Sequence, residues 1–591
     1  MLAAVRELGK WQRAVNQVDT VETLLQDPKM GEEGKVFLLK INLDDGCYEG
    51  LEIEDYDGEK QIKYLYRGGV SMGPCATPSA RITEPKKTFE GKILSWFKDY
   101  HLIGLISQEE QNWLNRVKLI IKGAESEAAA QLEEKIAGLP KKVKTLLSLQ
   151  IKLNGDWHYI GELLVFKKLL EGIVNEKTAS GAGEEQNFCS LCHNKKTVSG
   201  NTDVYTFYTI DKPGFITGGF NKDRAWKNFP VCLDCKLDLE EGKKYLESNL
   251  QFKFYGSRYT LIPKLIVGGV EDGENIFNRL IDAKKTLSLK EREKELITND
   301  TEEILLEIAL LKDILTVNLL FIQQMNSAER IVLLVEDVFP SRIREIFCAK
   351  EATENFFDDT FNFKRIRNFF EKSDKNSKNP DLDKYFLEIT DKVFRDIPLD
   401  FNFLIHFYLN RIQKEFINDG YFMPTVKSAM MDTCFFEQLG LLKYKEGEVM
   451  EASIFDGVFT RYTKSLNLPQ KRGIFLLGAL VQMLLNKQRM ERNTSPFANK
   501  LKGLKLNERD IKGLLPQVRQ KLEEYSSYDK GKQIIAEAVA KYFMASGDNW
   551  KMPVDEIAYY LVCGMTLYKE VASLVYPKDE KLEELKEEGG V

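Results

Sequence analysis

Two cysteine pairs constrain this chain more than any other feature. "FCSLCH" carries Cys189 and Cys192, and "FPVCLDC" carries Cys232 and Cys235, with 39 residues between the pairs. A C-x-x-C spacing lets two thiolates and the intervening amides wrap one metal ion, and two such pairs supply the four sulfurs of a closed tetrahedral site. Four protein ligands leave no position for a reactive water, so the set points to structural Zn²⁺ rather than hydrolysis. A redox dithiol needs only one pair inside a thioredoxin-like unit. A catalytic zinc deaminase needs H-x-E ahead of P-C-x-x-C. Here His193 is followed by Asn194 and Lys195, and Pro230 stands one residue too early. The long insert must form its own hairpin, for which "DVYTFYTIDKPGF" is a credible strand and turn.

The rest of the chain frames this clip. At 591 residues the protein exceeds a single core, and 43% hydrophobic content supplies several. "GKVFLLKINL" and "QIKYLYR" read as strands, "TFEGKILSWFKDY" as a helix with Phe89, Ile93, Leu94 and Phe97 on one stripe, and residues 107–172 as further helix. "QFKFYGSRYTLIPKLIV" reads as two strands around Gly256, and "TVNLLFIQQMNSAERIVLLVEDV" as a strand, a turn and a second apolar element. Polar stretches at 175–187 and 371–383 mark boundaries, and nearly everything beyond the second reads as helix. We therefore expect a multidomain α+β protein. A mixed α/β domain spans 1–186, a zinc-ribbon-like insert 187–260, a β-rich core 261–372 and an all-α bundle 373–591.

"IFLLGALVQMLL" is too short to span a bilayer, and the N-terminus reads as an amphipathic helix rather than a leader, so a cytoplasmic, membrane-free protein is expected. Five solitary cysteines suit a reducing compartment.

Catalytic signatures are missing from the sequence. There is no Walker motif, no H-E-x-x-H and no G-x-S-x-G elbow. Four histidines are present, of which His101 and His406 sit in apolar context and read as core or edge residues. Glu271 and Asp272 in "IVGGVEDGEN" weakly resemble the acidic turn of a nucleotide-polymerizing palm, displaced by one residue. No catalytic residue is assigned.

Charge is informative locally. The net charge is -6, so any polyanion must be held by patches. The loop "YRGGVSMGPCATP" places Arg67, Gly68, Gly69 and Ser71 where backbone amides can approach a base edge, with Arg81 and Lys86 beside it. Lys222, Arg224 and Lys227 crowd the cysteine segment. Residues 471–532 hold 14 cations against six acids, among them Lys471, Arg472, Lys487, Arg489 and Arg492. A basic helical face on an acidic protein suits a nucleic-acid backbone.

These residues also resemble a known family. "YTIDKPGFITGGF…AWKNFPVCLDC", "FYGSRYTLIPKL", "LLVEDVFPSRIREI", "YLYRGG…GPCATPSARIT", "SPFANKLKGLKLN" and "DEIAYYLVCGM" are similar to the large signature subunit of type I-B CRISPR effector complexes (Cascade), the Csh-type branch of the Cas-eight subunits. The resemblance implies a non-catalytic subunit bound to the crRNA 5′ end. It further implies reading of the protospacer-adjacent motif (PAM) on target double-stranded DNA, support of R-loop formation along the displaced strand, and recruitment of the helicase–nuclease. Its other partners would be the backbone, small and crRNA-end subunits, with the C-terminal bundle resembling the small subunit. Two alternatives stand beside this: a degenerate palm-type polymerase or cyclase using Glu271 and Asp272, and a zinc-stapled scaffold that touches only protein.

Overall fold

The computed structural model describes residues 1–15, 20–31, 33–68, 75–99, 104, 106–140, 142–179, 187–199, 204–205, 227–255, 257–266, 300–325, 328–370, 382–418, 421–444, 446–448 and 450–576. It is a multidomain α+β protein. Two compact units result, one of residues 1–251 with 323–331 and one of 252–322 with 332–591. No described helix is long and apolar enough to cross a membrane.

The first unit is built on a five-stranded sheet. Its strands are β1 (Lys35–Asn42), β2 (Cys47–Asp55), β3 (Ala80–Arg81), β4 (Thr145–Leu153) and β5 (Asp156–Tyr159). The order is β2-β1-β4-β3, and β5 also pairs with β4. β1 and β4 run parallel, with Phe37 opposite Leu147 and Leu39 opposite Leu149. A parallel pair needs a long crossover, and helices Gln108–Gly123 and Glu125–Ala137 lie in it. Side chains alternate across a strand. Phe37, Leu39, Ile41, Leu147, Leu149 and Ile151 therefore enter one core with Phe89, Phe97 and Phe166. Val36, Leu38 and Leu146 enter a second core with Met30 and Tyr64 on the other face.

Two expectations are corrected here. β4 lies inside a stretch expected to be helical. Its sequence carries the strand signal, Leu147, Leu149, Ile151 and Leu153 alternating with Ser148, Gln150 and Lys152, but the helical pattern on either side masks so short a period-2 run. "QIKY" is not a strand: Gln61–Tyr64 is a helical turn, entered from a 3-10 turn capped by Asp57 and closed by Leu65 in the left-handed region at φ 50°. Burial of Tyr64 and Leu65 decides the geometry, which so short an alternation could not.

A four-stranded sheet comes next in the chain, of Gln251–Phe254, Ser257–Leu265, Leu315–Met325 and Ala328–Val338, in chain order across the sheet. Helices follow from Pro340 onward. The helix Pro469–Arg492 contains the apolar stretch noted above and is buried nearly all round its middle, as an interior helix must be. It crosses Val554–Thr566 at two glycines. A Cβ on Gly478 would stand 2.0 Å from the Leu561 carbonyl oxygen, and one on Gly564 1.8 Å from that of Phe475. Only hydrogen fits at either position.

Asp432 is an oddity in this bundle. It is fully buried, and neither carboxylate oxygen has a hydrogen-bond partner among the described residues. Burial drives its carboxyl well above the usual range, against the pull of Arg365 and the Tyr408 hydroxyl. Arg365 is itself held by Asp359 at 2.8 Å and by Ser428 at 3.1 Å. A raised folded-state pKa gives stability that is full below the unfolded value, about 4, and is lost as pH rises toward the folded one. Asp432→Asn should therefore stabilise the protein more at about pH 8 than at about pH 5, with wild type losing up to about 1.4 kcal/mol per pH unit between the two limits. Urea melts of both proteins at the two pH values measure this, and equal slopes would contradict it.

Candidate metal centre

The four cysteines converge through local backbone geometry. Asn187–Phe188 pairs with Lys195–Lys196 as a minimal hairpin, and Cys189–Cys192 occupies its turn. The turn is closed by Cys189 N–H on the Asn194 carbonyl at 3.0 Å and His193 N–H on the Cys189 carbonyl at 2.9 Å. His193 sits in the left-handed region at φ 58°. The second pair starts on a strand bridge that sets Val198 opposite Cys232. Cys232 is the N-cap of helix Leu233–Asn249, and Cys235 lies in its first turn. Ser190 N–H donates to the Pro230 carbonyl at 2.8 Å and ties the two knuckles together.

One sulfur from each cysteine lies within 4.8 Å of all the others, and Cys192 Sγ is 3.9 Å from Cys232 Sγ. A tetrahedral zinc–thiolate site with bonds of about 2.3 Å has sulfurs about 3.8 Å apart. The four thiols are free of disulfides. Val198, Val231, Leu191 and Phe229 pack round them. Burial opposes charge on Cys189, yet backbone amides of Cys192, Cys232 and Leu191 pull its thiol down to about 7. Burial and the neighbouring Cys189 push Cys232 up to about 11. Cys235 is pushed up as well, by burial first and Cys232 second. The Cys189 thiolate forms readily, and a cation would offset the charge that burial opposes on Cys232 and Cys235. The set fits a metal ion.

A second helix leans on this site. Helix Leu2–Val15 crosses Leu233–Asn249 at a glycine contact: a Cβ on Gly9 would stand 1.8 Å from the Asp238 carbonyl oxygen, and one on Gly242 2.1 Å from that of Val5. Arg13 donates to Asp238 at 2.8 Å, and Arg6 approaches the same carboxylate at 3.5 Å. Burial opposes the charge of Arg6, but Cys235, Glu7, Asp238 and Cys192 favour it. The N-terminal helix thus brings positive charge to a sulfur-rich site.

The expected nucleic-acid residues fall into three groups. Some face inward. Arg67 is 7% exposed and donates to the Leu24 carbonyl and to Glu240. Lys471, also 7% exposed, pairs with Glu556 at 3.0 Å, and Arg472 pairs with Asp456 at 2.8 Å. These three hold the fold, because a buried cation must keep its carboxylate or lose several kcal/mol, about 3–5. Gly68 N–H is occupied by Gln26 Oε1 at 3.1 Å.

Others are at the surface. Arg81, Lys86 and Lys227 are exposed, and Lys86 lies 3.9 Å from Glu90. Lys487 pairs with Glu491 at 2.8 Å. Arg489 is exposed without an ion pair among the described residues, and Arg492 lies over the Tyr525 ring at 5.0 Å. Gly69, Ser71, Lys222 and Arg224 lie outside the described residues, as do His101, Glu271 and Asp272. His406 is neither core nor edge: it is exposed and pairs with Asp555 at 3.0 Å.

Lys500 and Lys505, not among the expected contact residues, join Arg489 as exposed cations without a carboxylate partner among the described residues. For Arg489 and Lys500 the distinguishing signal is in the sequence, whereas Lys505 has Glu508 three residues on and does not pair with it. Lys487, Arg519 and Lys521 have an acid three or four residues on, and Lys512 and Lys532 have one three or four residues back, each forming the helical pair. Arg489 and Lys500 have none at that spacing.

Comparison with known families finds three matches in chain order. The N-terminal domain of CRISPR-associated protein TM1802 matches residues 1–172, its central domain residues 186–338 and its C-terminal domain residues 361–579. No curated protein matches the chain.

Metal removal should be felt at the N-terminus. Chelation should speed amide hydrogen exchange in residues 2–15 together with 189–199, and leave 474–485 unchanged. Gly242→Ala should loosen the same helix with the metal retained, at about 1–3 kcal/mol. Exchange in 2–15 that is indifferent to both changes would show that the helix is held by something else.

Proposed function

The chain belongs to the CRISPR-associated TM1802 family, and on that premise we propose that it is the non-catalytic large subunit of a type I-B CRISPR surveillance complex. In this reading it acts in the cytoplasm, holds the crRNA 5′ end, engages target double-stranded DNA at the PAM and supports R-loop formation by retaining the displaced strand. It then recruits the helicase–nuclease. Its neighbours in the complex are the backbone, small and crRNA-end subunits. The ion gripped by Cys189, Cys192, Cys232 and Cys235 is zinc, and its role is structural.

One observation carries the nucleic-acid part. Arg489, Lys500 and Lys505 are exposed and have no carboxylate partner among the described residues, while most cations around them do. A cation without an internal partner is available to a phosphate, and Arg492 over Tyr525 adds a guanidinium beside an aromatic face. In RNA-guided recognition base pairing reads the long target, so the protein needs a backbone track and a few residues at the short motif. For the motif, the support is that Arg81 and Lys86 are exposed and follow the glycine-rich stretch closely in sequence. Arg67, which precedes that stretch in sequence, is tied to the Leu24 carbonyl and Glu240.

Replacing Arg489, Lys500 and Lys505 together by Glu should weaken binding of the complex to duplex DNA. It should also lower the slope of log K against log salt by about 2–3, near 0.9 for each phosphate no longer neutralised. The melting temperature should not change. An undiminished slope would remove this patch from the interface. Lys471→Glu should behave differently and lower the melting temperature, because it sets a like charge against Glu556.

A further inference from the structure

The first knuckle carries a feature that the track above does not use. Phe188 lies in the two-residue strand before Cys189 and is 68% exposed. A lone exposed apolar residue is ordinary. This one is placed unusually. Its cross-strand partner is Lys195, so ring and ammonium share one face of the hairpin. Lys195 is exposed and makes no ion pair with a described residue, whereas Lys196, on the opposite face, is bound to Asp234 at 2.7 Å. The hairpin is also fixed on three sides: by its turn hydrogen bonds, by Ser190 on Pro230, and by the four-sulfur cluster one residue away. An aromatic ring presented on a backbone that cannot shift loses little entropy when it is covered.

We propose that Phe188 is a stacking platform for one unpaired base of a single-stranded nucleic acid, with Lys195 taking the phosphate beside it. This rests on the nucleic-acid reading above and adds the site and the strand state. Cross-strand side chains start about 5 Å apart, so a base on the ring brings its own backbone within reach of the Lys195 ammonium. A duplex hides its base faces, and only an unpaired strand offers one to a ring. The neighbouring free cation favours a polyanion over an apolar protein surface. Metal occupancy then matters for binding as well as for folding, because the cluster sets the ring's position.

The test uses the metal-loaded full chain and a short fluorescein-labelled oligothymidylate, read by anisotropy. Phe188→Ala should lower affinity about 5- to 100-fold, the range of a single base–aromatic stack. Melting temperature and metal content should be unchanged, since the side chain is already in water. An abasic strand of equal charge should bind wild type and Phe188→Ala alike. Phe188→Trp should keep the affinity and lose indole fluorescence as strand is added. Equal affinity of wild type and Phe188→Ala, in a protein that binds the oligomer with ordinary salt dependence, overturns this proposal alone. A wild-type chain that binds no nucleic acid, alone or in its complex, overturns the function above as well. Should Phe188→Ala release a partner protein and leave the oligomer bound, the ring is a protein contact and the proposal is wrong.

Discussion

Four sulfur atoms within 4.8 Å of one another join a hairpin turn to the start of a helix 40 residues further on. The first unit is arranged round that junction. Cys232 caps helix Leu233–Asn249, so whatever fixes the sulfurs fixes the helix at its origin. The N-terminal helix then packs on it through Gly9 and Gly242, close enough that no larger residue fits. From the same helix Glu240 reaches Arg67, which leads into the glycine-rich stretch in sequence. An ion held by these sulfurs would therefore be felt at the N-terminal helix and at Arg67, through the helix contacts just described.

Charge in this protein is best understood by asking which cations are already answered. The stretch 471–532 has a large excess of positive side chains, yet Lys471 and Arg472 are internal struts and Lys487, Lys512, Arg519, Lys521 and Lys532 are paired along their own helices. Exposed pairs of that kind are weak, typically under about 1 kcal/mol, so a phosphate could displace the acid. The cations with no acid at all need no such exchange. Arg489, Lys500 and Lys505 cluster in sequence around the end of one helix and the turns that follow it. A net charge of -6 and a polyanion partner are compatible because the interaction is local.

The convergence of the four cysteines was legible in the sequence because C-x-x-C spacing is a local property that tertiary structure has little freedom to change. The α+β class and the hairpin strands Leu315–Met325 and Ala328–Val338 were legible for a related reason, since their patterns span enough residues to set a period. β4 was not, although Leu147 to Leu153 alternate, because the run is short and lies between helical patterns. The inward roles of Arg67 and Lys471 were not legible either. A cation's fate depends on a carboxylate 173 residues away in the first case, on Glu240, and 85 residues away in the second, on Glu556. Phe188 stood in the open beside its cysteine, but nothing in "NFCSLC" distinguishes an aromatic that packs from one left in water.

The central claim is that the cysteines form a closed, structural zinc site. X-ray absorption at the zinc edge on the purified chain tests it most directly. The account predicts one zinc per chain with four sulfur neighbours at about 2.3 Å and no light-atom ligand. A nitrogen or oxygen neighbour in the first coordination shell, or a folded chain that carries no metal, would contradict it.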